Sequence, residues 1–203
     1  AVPLGVLAAV GLIGAWRLRR EPGETWRRDP AVFLLVAVLA VLLGGLLSHH
    51  ERLVSDGIDH YVYLRSLRVS GDLDLPDDFA AVSPRGRSTA ADTPLGRTGN
   101  EHPVGPALLW APLYLVGDAL SRWLDEEGRV GDGPFQRNAV AVAGLFWGWL
   151  GLVAGYRCWR TRAGRGPALL AAIGLAFGTF LYWYLVQAPT MAHAPAFATG
   201  AFV

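Results

Sequence analysis

Hydrophobic residues gather into a few long runs, with polar residues in blocks between them. Runs at 1–16, 31–48, 139–156 and 167–186 approach the roughly 20 mostly apolar residues that a membrane-crossing helix needs. A further run, 103–123, is interrupted by Pro103, Pro106 and Pro112 and carries Asp118 and Arg122 near its end. The pattern predicts an all-α polytopic membrane protein. Its transmembrane helix bundle would carry a long extracytoplasmic first loop with juxtamembrane helices. Residues 1–203 read as a single membrane domain, and because both ends fall in apolar runs they read as a fragment of a larger protein.

Arginine positions orient the runs. Arg17, Arg19, Arg20, Arg27 and Arg28 crowd one short segment, and Arg157, Arg160, Arg162 and Arg165 crowd another. Short Arg-dense loops stay on the cytoplasmic side, so an even number of crossings separates the two. Runs 31–48 and 139–156 supply that pair, and 103–123 is left as an interfacial helix of the outer loop. Interior prolines and a charge at mid-bilayer depth both disfavour a crossing there. A fifth full span is the competing reading. The outer loop, 49–136, holds all but three of the 17 acidic residues, the exceptions being Glu21, Glu24 and Asp29. Within it, 72–99 is rich in Pro, Gly, Asp and Ser and reads as irregular loop.

Composition agrees with this class. The chain is 52% hydrophobic yet 17% charged, too apolar for an ordinary soluble domain. A net charge of +1 and the lack of a basic tract give no reason to expect nucleic acid. The single cysteine, Cys158, excludes an intrachain disulfide.

Candidate chemistry concentrates where the second run leaves the bilayer. In "SDGIDHYVYLRSL", residues 55–67, a helix beginning near Asp56 would put Asp56, Asp59, His60, Tyr63 and Leu67 on one stripe. Asp56 suits a general base. Equally, Asp56 suits a helix N-cap with Asp59 in a capping-box-like arrangement. "TGNEHPVGP" places Asn100, Glu101 and His102 just before the interfacial helix, as ligands for a polar head group or metal or as a solvated capping loop. His193 falls on the same side, either as a ligand or as a packing residue. Gly144, Gly148, Gly151 and Gly155 lie on one face of a span and predict close helix contact. No phosphate-binding glycine loop, Ser/His/Asp nucleophile signature or Cys/His zinc spacing occurs.

The order of these parts is more specific than any one of them. An acidic residue follows an outward span at once. "YVYLRSLRVSGDLDL" then leads to "NEHPVGPALLWAPLYLVG", "RNAVAVAGLFWGWLGLVAGYR" and "LYWYLVQAPTMAHA". From about residue 31 on, this resembles the GT-C superfamily of polyprenyl-phosphate-sugar-dependent glycosyltransferases. The likeness is to bacterial members related to the protein mannosyltransferases and to the aminoarabinose transferase of lipid A. The resemblance implies Asp56 as catalytic base, 103–123 as a juxtamembrane helix and a second outer loop around 191–193. It departs from many relatives in having Asp56-Gly57 where they carry a paired acid. It also lacks a carboxylate in the second outer loop, where metal-dependent relatives have one, so a divalent metal is left open.

The resulting expectation is an integral-membrane glycosyltransferase of the bacterial cytoplasmic membrane, its active-site loop facing the periplasm or exterior. Its partners would be membrane lipid and a polyprenyl-phosphate sugar. Asp56 is the candidate base, with Asp59, His60, Tyr63, Arg65, Glu101, His102 and His193 as candidate substrate-binding residues. The alternative is a non-enzymatic transporter or flippase-like bundle, which predicts functional charges near the bilayer midplane.

Overall fold

The computed structural model describes residues 30–47, 53–83, 93–94, 96, 98–124 and 131–201. The expected first span, 1–16, lies outside them. The described chain is all-α, with no β-strand among the described residues. Its helices are α1 (Pro30–Leu47), α2 (Asp56–Val69), α3 (Pro76–Val82), α4 (Gly105–Trp123), α5 (Pro134–Ala163), α6 (Arg165–Gly178) and α7 (His193–Ala201), with a π-helical turn at Trp183–Gln187. Among the described residues only α5 is long and apolar enough to cross a membrane; the apolar helices Leu34–Leu47 and Arg165–Gly178 are shorter.

Helix α5 is the mast of the structure. Its 30 residues rise about 45 Å at 1.5 Å each and take part in three successive apolar clusters. At its C-terminal end Tyr156 packs with Ala31 and Leu35 of α1 and with Ala168, Leu169 and Ala172 of α6. In the middle Ala141, Leu145 and Leu152 meet Val38, Leu42 and Leu46 of α1 and Leu185, Val186 and Ala194. Near its N-terminal end Val140 and Ala143 meet Tyr61 and Val62 of α2, Phe79 of α3, and Trp110 and Tyr114 of α4. Two indoles stitch the neighbours on: Trp149 Nε1 donates to the Leu35 carbonyl at 3.1 Å and Trp147 Nε1 to the Leu109 carbonyl at 3.0 Å. The second bond lies beside Pro112, whose missing N–H loosens the local helical ladder.

The glycine stripe of α5 is a set of seats. A Cβ on Gly144 would stand 1.8 Å from the Pro189 carbonyl oxygen, and one on Gly148 2.2 Å from Leu185 Cδ2. One on Gly151 would stand 2.8 Å from the Phe197 ring, whereas Gly155 faces Trp159 of its own helix. Three of the four thus admit the segment from the π-helical turn through α7.

Helix α4 has two faces. Ala107, Trp110, Tyr114, Gly117, Asp118 and Ser121 are buried, while Leu108, Leu115, Val116, Leu120 and Trp123 are exposed. Asp118 is buried because it is paired. Its Oδ2 accepts from Arg68 Nε at 2.7 Å and meets Arg122 at 3.1 Å, and its Oδ1 accepts from Gln136 at 3.4 Å. Tyr61 and Tyr114 both donate to the Gly131 carbonyl, at 3.0 and 2.9 Å. Together these contacts lock α2 and α4 to the start of α5.

Three expectations are corrected. The 72–99 segment is not all loop, since it contains α3. Pro76 at the first helical position with Asp77 and Asp78 in the first turn is a helix start, because proline's absent N–H costs nothing there and carboxylates suit the positive helix end. Phe79 and Val82 bury its inner face. The 167–186 run is not one helix. It stops at Gly178, where Thr179 is extended; the Thr179 hydroxyl donates to the Leu175 carbonyl at 2.7 Å and accepts from the Leu181 N–H at 3.1 Å, replacing the backbone ladder on both sides of the break. Asp56 is not the N-cap of α2: Ser55 holds that position, with no side-chain capping bond.

Replacing Gly144 by alanine is expected to cost about 1–3 kcal/mol through overpacking against Pro189. Gly174, an α6 glycine whose Cβ would meet nothing within 4 Å, serves as control. Gly174→Ala should gain up to about 1 kcal/mol of helix propensity. Thermal unfolding of the two variants in detergent checks the opposite signs.

Candidate functional site

The site forms where α2 begins. Ser55 sits at φ 49°, a left-handed conformation that is uncommon outside glycine and is stored where surrounding structure enforces it. Its Oγ donates to Asp56 Oδ1 at 2.8 Å. The chain then turns into the helix with Gly57 N–H on the Val54 carbonyl and Ile58 N–H on the Ser55 carbonyl. Asp56 and Asp59 follow three residues apart, so one helical turn brings both carboxylates to the same face. Both lie in the first turn, where the helix dipole favours negative charge.

What forces this geometry is a glycine. A Cβ on Gly57 would stand 2.3 Å from Thr190 Oγ1 and 2.7 Å from the Thr190 carbonyl oxygen. Only a bare α-carbon lets the first turn of α2 seat on the buried 188–190 turn. That same turn rests on Gly144 of α5 through Pro189.

His102 faces the two carboxylates. Its Nε2 lies 3.5 Å from Asp56 Oδ1 and 3.6 Å from Asp59 Oδ2. The atom is buried and has no hydrogen-bond partner. The backbone of His102 is fixed from two directions: its N–H donates to Asn100 Oδ1 at 3.0 Å, and its carbonyl accepts from the Tyr63 hydroxyl at 2.9 Å. Asn100 Nδ2 donates in turn to the Asp59 carbonyl at 2.6 Å. One amide side chain therefore ties the acid helix to the histidine segment. Burial pushes the Tyr63 hydroxyl above its ordinary range, with the Asp59 charge adding to it, so it stays a protonated donor.

His60 lies behind this group, its side of α2 buried. Its Nδ1 is 3.1 Å from the Pro103 carbonyl, and since a carbonyl only accepts, Nδ1 carries the proton. Burial first, and then the neighbouring His102, lower its pKa to about 4. His60 is thus a neutral, packed imidazole at physiological pH, 5.4 Å from the His102 ring and edge-on to Trp110 at 5.7 Å.

The candidates divide clearly. Asp56, Asp59, His60, Tyr63 and His102 come together, and one donor atom from each of Asp56, Asp59 and His102 lies within 4.8 Å of the others. Arg65 instead pairs with buried Asp78 of α3. Glu101 is exposed. His193 opens α7 and stacks on Tyr184 at 4.0 Å. Asn100, Gly57 and Thr190 enter as positioning residues. Asn100 carried a signal, because Asn two residues before another backbone N–H readily closes a local turn. The Gly57–Thr190 contact spans far too much sequence to carry one.

Chemically, Asp56 is the accessible group, with 38% of its side chain exposed against 2% for Asp59. It can take a proton or face a substrate while Asp59 and His102 hold the ground beside it. No protein-family model matches the chain, and neither the curated proteins nor the solved structures yield a match.

The Gly57 contact is testable as a coupling. Gly57→Ala should cost about 1–3 kcal/mol by overpacking. Thr190→Ala removes the nearer of the two clashing oxygens, so the double variant should recover at least about 0.5 kcal/mol relative to additivity. Thermal or denaturant unfolding of the four-member cycle gives the value; strict additivity would contradict the contact.

Proposed function

We propose that the chain is the catalytic part of a polytopic membrane glycosyltransferase that takes its sugar from a polyprenyl phosphate. In this reading α1, α5 and the α6-to-π-helical segment cross the bilayer. The arginines at 157–165 stay in the cytoplasm, and α2 to α4 face the periplasm or exterior of a bacterial cytoplasmic membrane. The observation that carries it is the position of Asp56: an accessible carboxylate, built into the first turn of α2, seated directly on the turn that closes the apolar helices. A lipid-linked donor presents its phosphate at that depth.

The chemistry follows from the donor. An acceptor hydroxyl or amine attacks sugar C1, the bond from C1 to the phosphate oxygen breaks, and the electron pair leaves with the lipid phosphate. The proton released by the acceptor passes to Asp56. General-base help of this kind is worth about 10² to 10⁴ in rate. The departing phosphate needs positive charge close by; His102 is the basic side chain at the cluster, while Arg65 and Arg68 on the same helix as Asp56 are paired with Asp78 and Asp118.

A transporter reading places functional charge inside the spans. The buried ion pairs Arg65–Asp78 and Arg68–Asp118 instead lie among α2, α3 and α4, which favours the enzyme.

Membranes containing the protein or its Asp56→Asn variant, supplied with radiolabelled polyprenyl-phosphate sugars, decide the matter. Turnover should fall at least about a hundredfold in the variant, with unchanged protein amount and thermal midpoint. Full turnover in the variant would remove Asp56 from the mechanism, and no turnover in either would favour the transporter.

A further inference from the structure

We propose that the arginines at the turn between α5 and α6 bind the headgroup of an anionic phospholipid in the inner leaflet. The placement in the inner leaflet rests on the topology proposed above; the transferase chemistry does not enter.

The turn is the first argument. One residue, Gly164, separates Ala163 at the end of α5 from Arg165 at the start of α6. Its φ of 81° is open to glycine at little cost. Gly164 N–H donates to the Arg160 carbonyl at 3.1 Å, and the Gly164 carbonyl accepts from Ala168 N–H at 3.3 Å. The reversal is therefore tight, and it gathers Arg157, Arg160, Arg162 and Arg165 at one end of the helix pair. Arg157 and Arg162 are exposed, Arg160 is half-buried and Arg165 is buried. Arg162 Nη1 donates to Cys158 Sγ at 2.8 Å, which uses one of the five N–H donors of the guanidinium.

The second argument is charge. No Asp or Glu occurs in 133–203, so α5 and α6 bring only arginine to this end. Residues 17–29, which the same topology keeps on this side, hold five arginines against three acids. The face is net positive with both segments counted. Arginine matches phosphate oxygens with paired N–H groups, and basic clusters at the cytoplasmic end of membrane helices attract anionic lipids.

Depth is the third. The arginines begin where an apolar cluster ends. Tyr156 packs there with Ala168, Leu169 and Ala172, and Trp159 packs against the same group. Tyrosine and tryptophan favour the headgroup layer, which puts the following arginines at the level of lipid phosphate. Below Arg165 the outer side of α6 is apolar: Leu170 is exposed, and a Cβ on Gly174 or Gly178 would meet nothing within 4 Å. An acyl chain can lie along that strip while its phosphate meets the arginines. A free phosphate ion would gain nothing from it.

The test uses the full chain in neutral detergent. Phosphatidylglycerol added as mixed micelles should raise the thermal midpoint; phosphatidylcholine or inorganic phosphate at the same concentration should not. Arg157→Gln combined with Arg162→Gln, both at exposed positions, should weaken phosphatidylglycerol binding by about fivefold per arginine and about 25-fold together. Arg122→Gln, at an exposed arginine of α4, should leave it unchanged. No rise with phosphatidylglycerol, a rise indifferent to the double variant, or an equal rise with phosphatidylcholine or inorganic phosphate would overturn the site. Sidedness is read separately at Cys158, the single cysteine and exposed. A membrane-impermeant maleimide should label it in inverted vesicles and not in intact cells. Labelling in intact cells would overturn the inner-leaflet placement together with the proposed topology. Sugar turnover without a phosphatidylglycerol effect would keep the transferase and remove the lipid site, and the opposite result would keep the lipid site alone.

Discussion

The arrangement depends on one buried turn resting on two glycines. Pro189 and Thr190 are wedged between α5 and α2, with a carbonyl against Gly144 and a hydroxyl and carbonyl against Gly57. Each contact brings backbone to backbone at a distance that any Cβ would forbid. Through them the apolar helices and the acid-bearing helix share a single rigid junction, and the first turn of α2, with Asp56 and Asp59, is positioned from below. The strained Ser55 marks where the chain bends to make this fit. Strain of that kind persists only where neighbouring contacts over-determine the backbone.

Above the junction, charge is handled in two ways. Asp78 and Asp118 are buried and matched by Arg65 and by Arg68 with Arg122; such pairs hold helices in register, and removing one partner strands the other. Asp56 and Asp59 stand together in the first turn of α2. They face a histidine that stands too far for a direct bond. The first kind of acid holds α2, α3 and α4 to α5. The second kind is poised for something that arrives. This difference, more than the number of carboxylates, separates the candidate site from the scaffold around it.

Periodicity made much of the helical layout legible. The long apolar runs at 31–48 and 139–156 correspond to α1 and to most of α5, and the proline-interrupted run at 103–123 corresponds to two-faced α4. The glycine spacing at 144, 148 and 151 announced a close contact, though not its partner. Local composition misled where short-range signals compete. A Pro- and Asp-rich stretch looked like loop although Pro76-Asp77-Asp78 is also a helix start, and Thr179 breaks an apolar run through a hydroxyl that substitutes for backbone donors and acceptors. In the site, Asp56 and Asp59 were legible together because helical spacing binds them, and His102 was legible only as a polar residue at a segment end. Its meeting with them is a tertiary fact, set by Asn100, Tyr63 and the packing of α4. Arg65 shared the α2 pattern, and only the position of α3 shows that it is committed to Asp78.

The central claim is that this cluster receives a lipid-linked phosphate at the outer edge of the bilayer. The most direct measurement is photo-crosslinking in native-like membranes with a polyprenyl-phosphate probe carrying a diazirine near its phosphate, followed by mapping of the labelled peptides. The account predicts labelling in residues 53–63 and 98–104, abolished by excess unlabelled polyprenyl phosphate. Labelling confined to other segments, or labelling that competitor does not reduce, would contradict it.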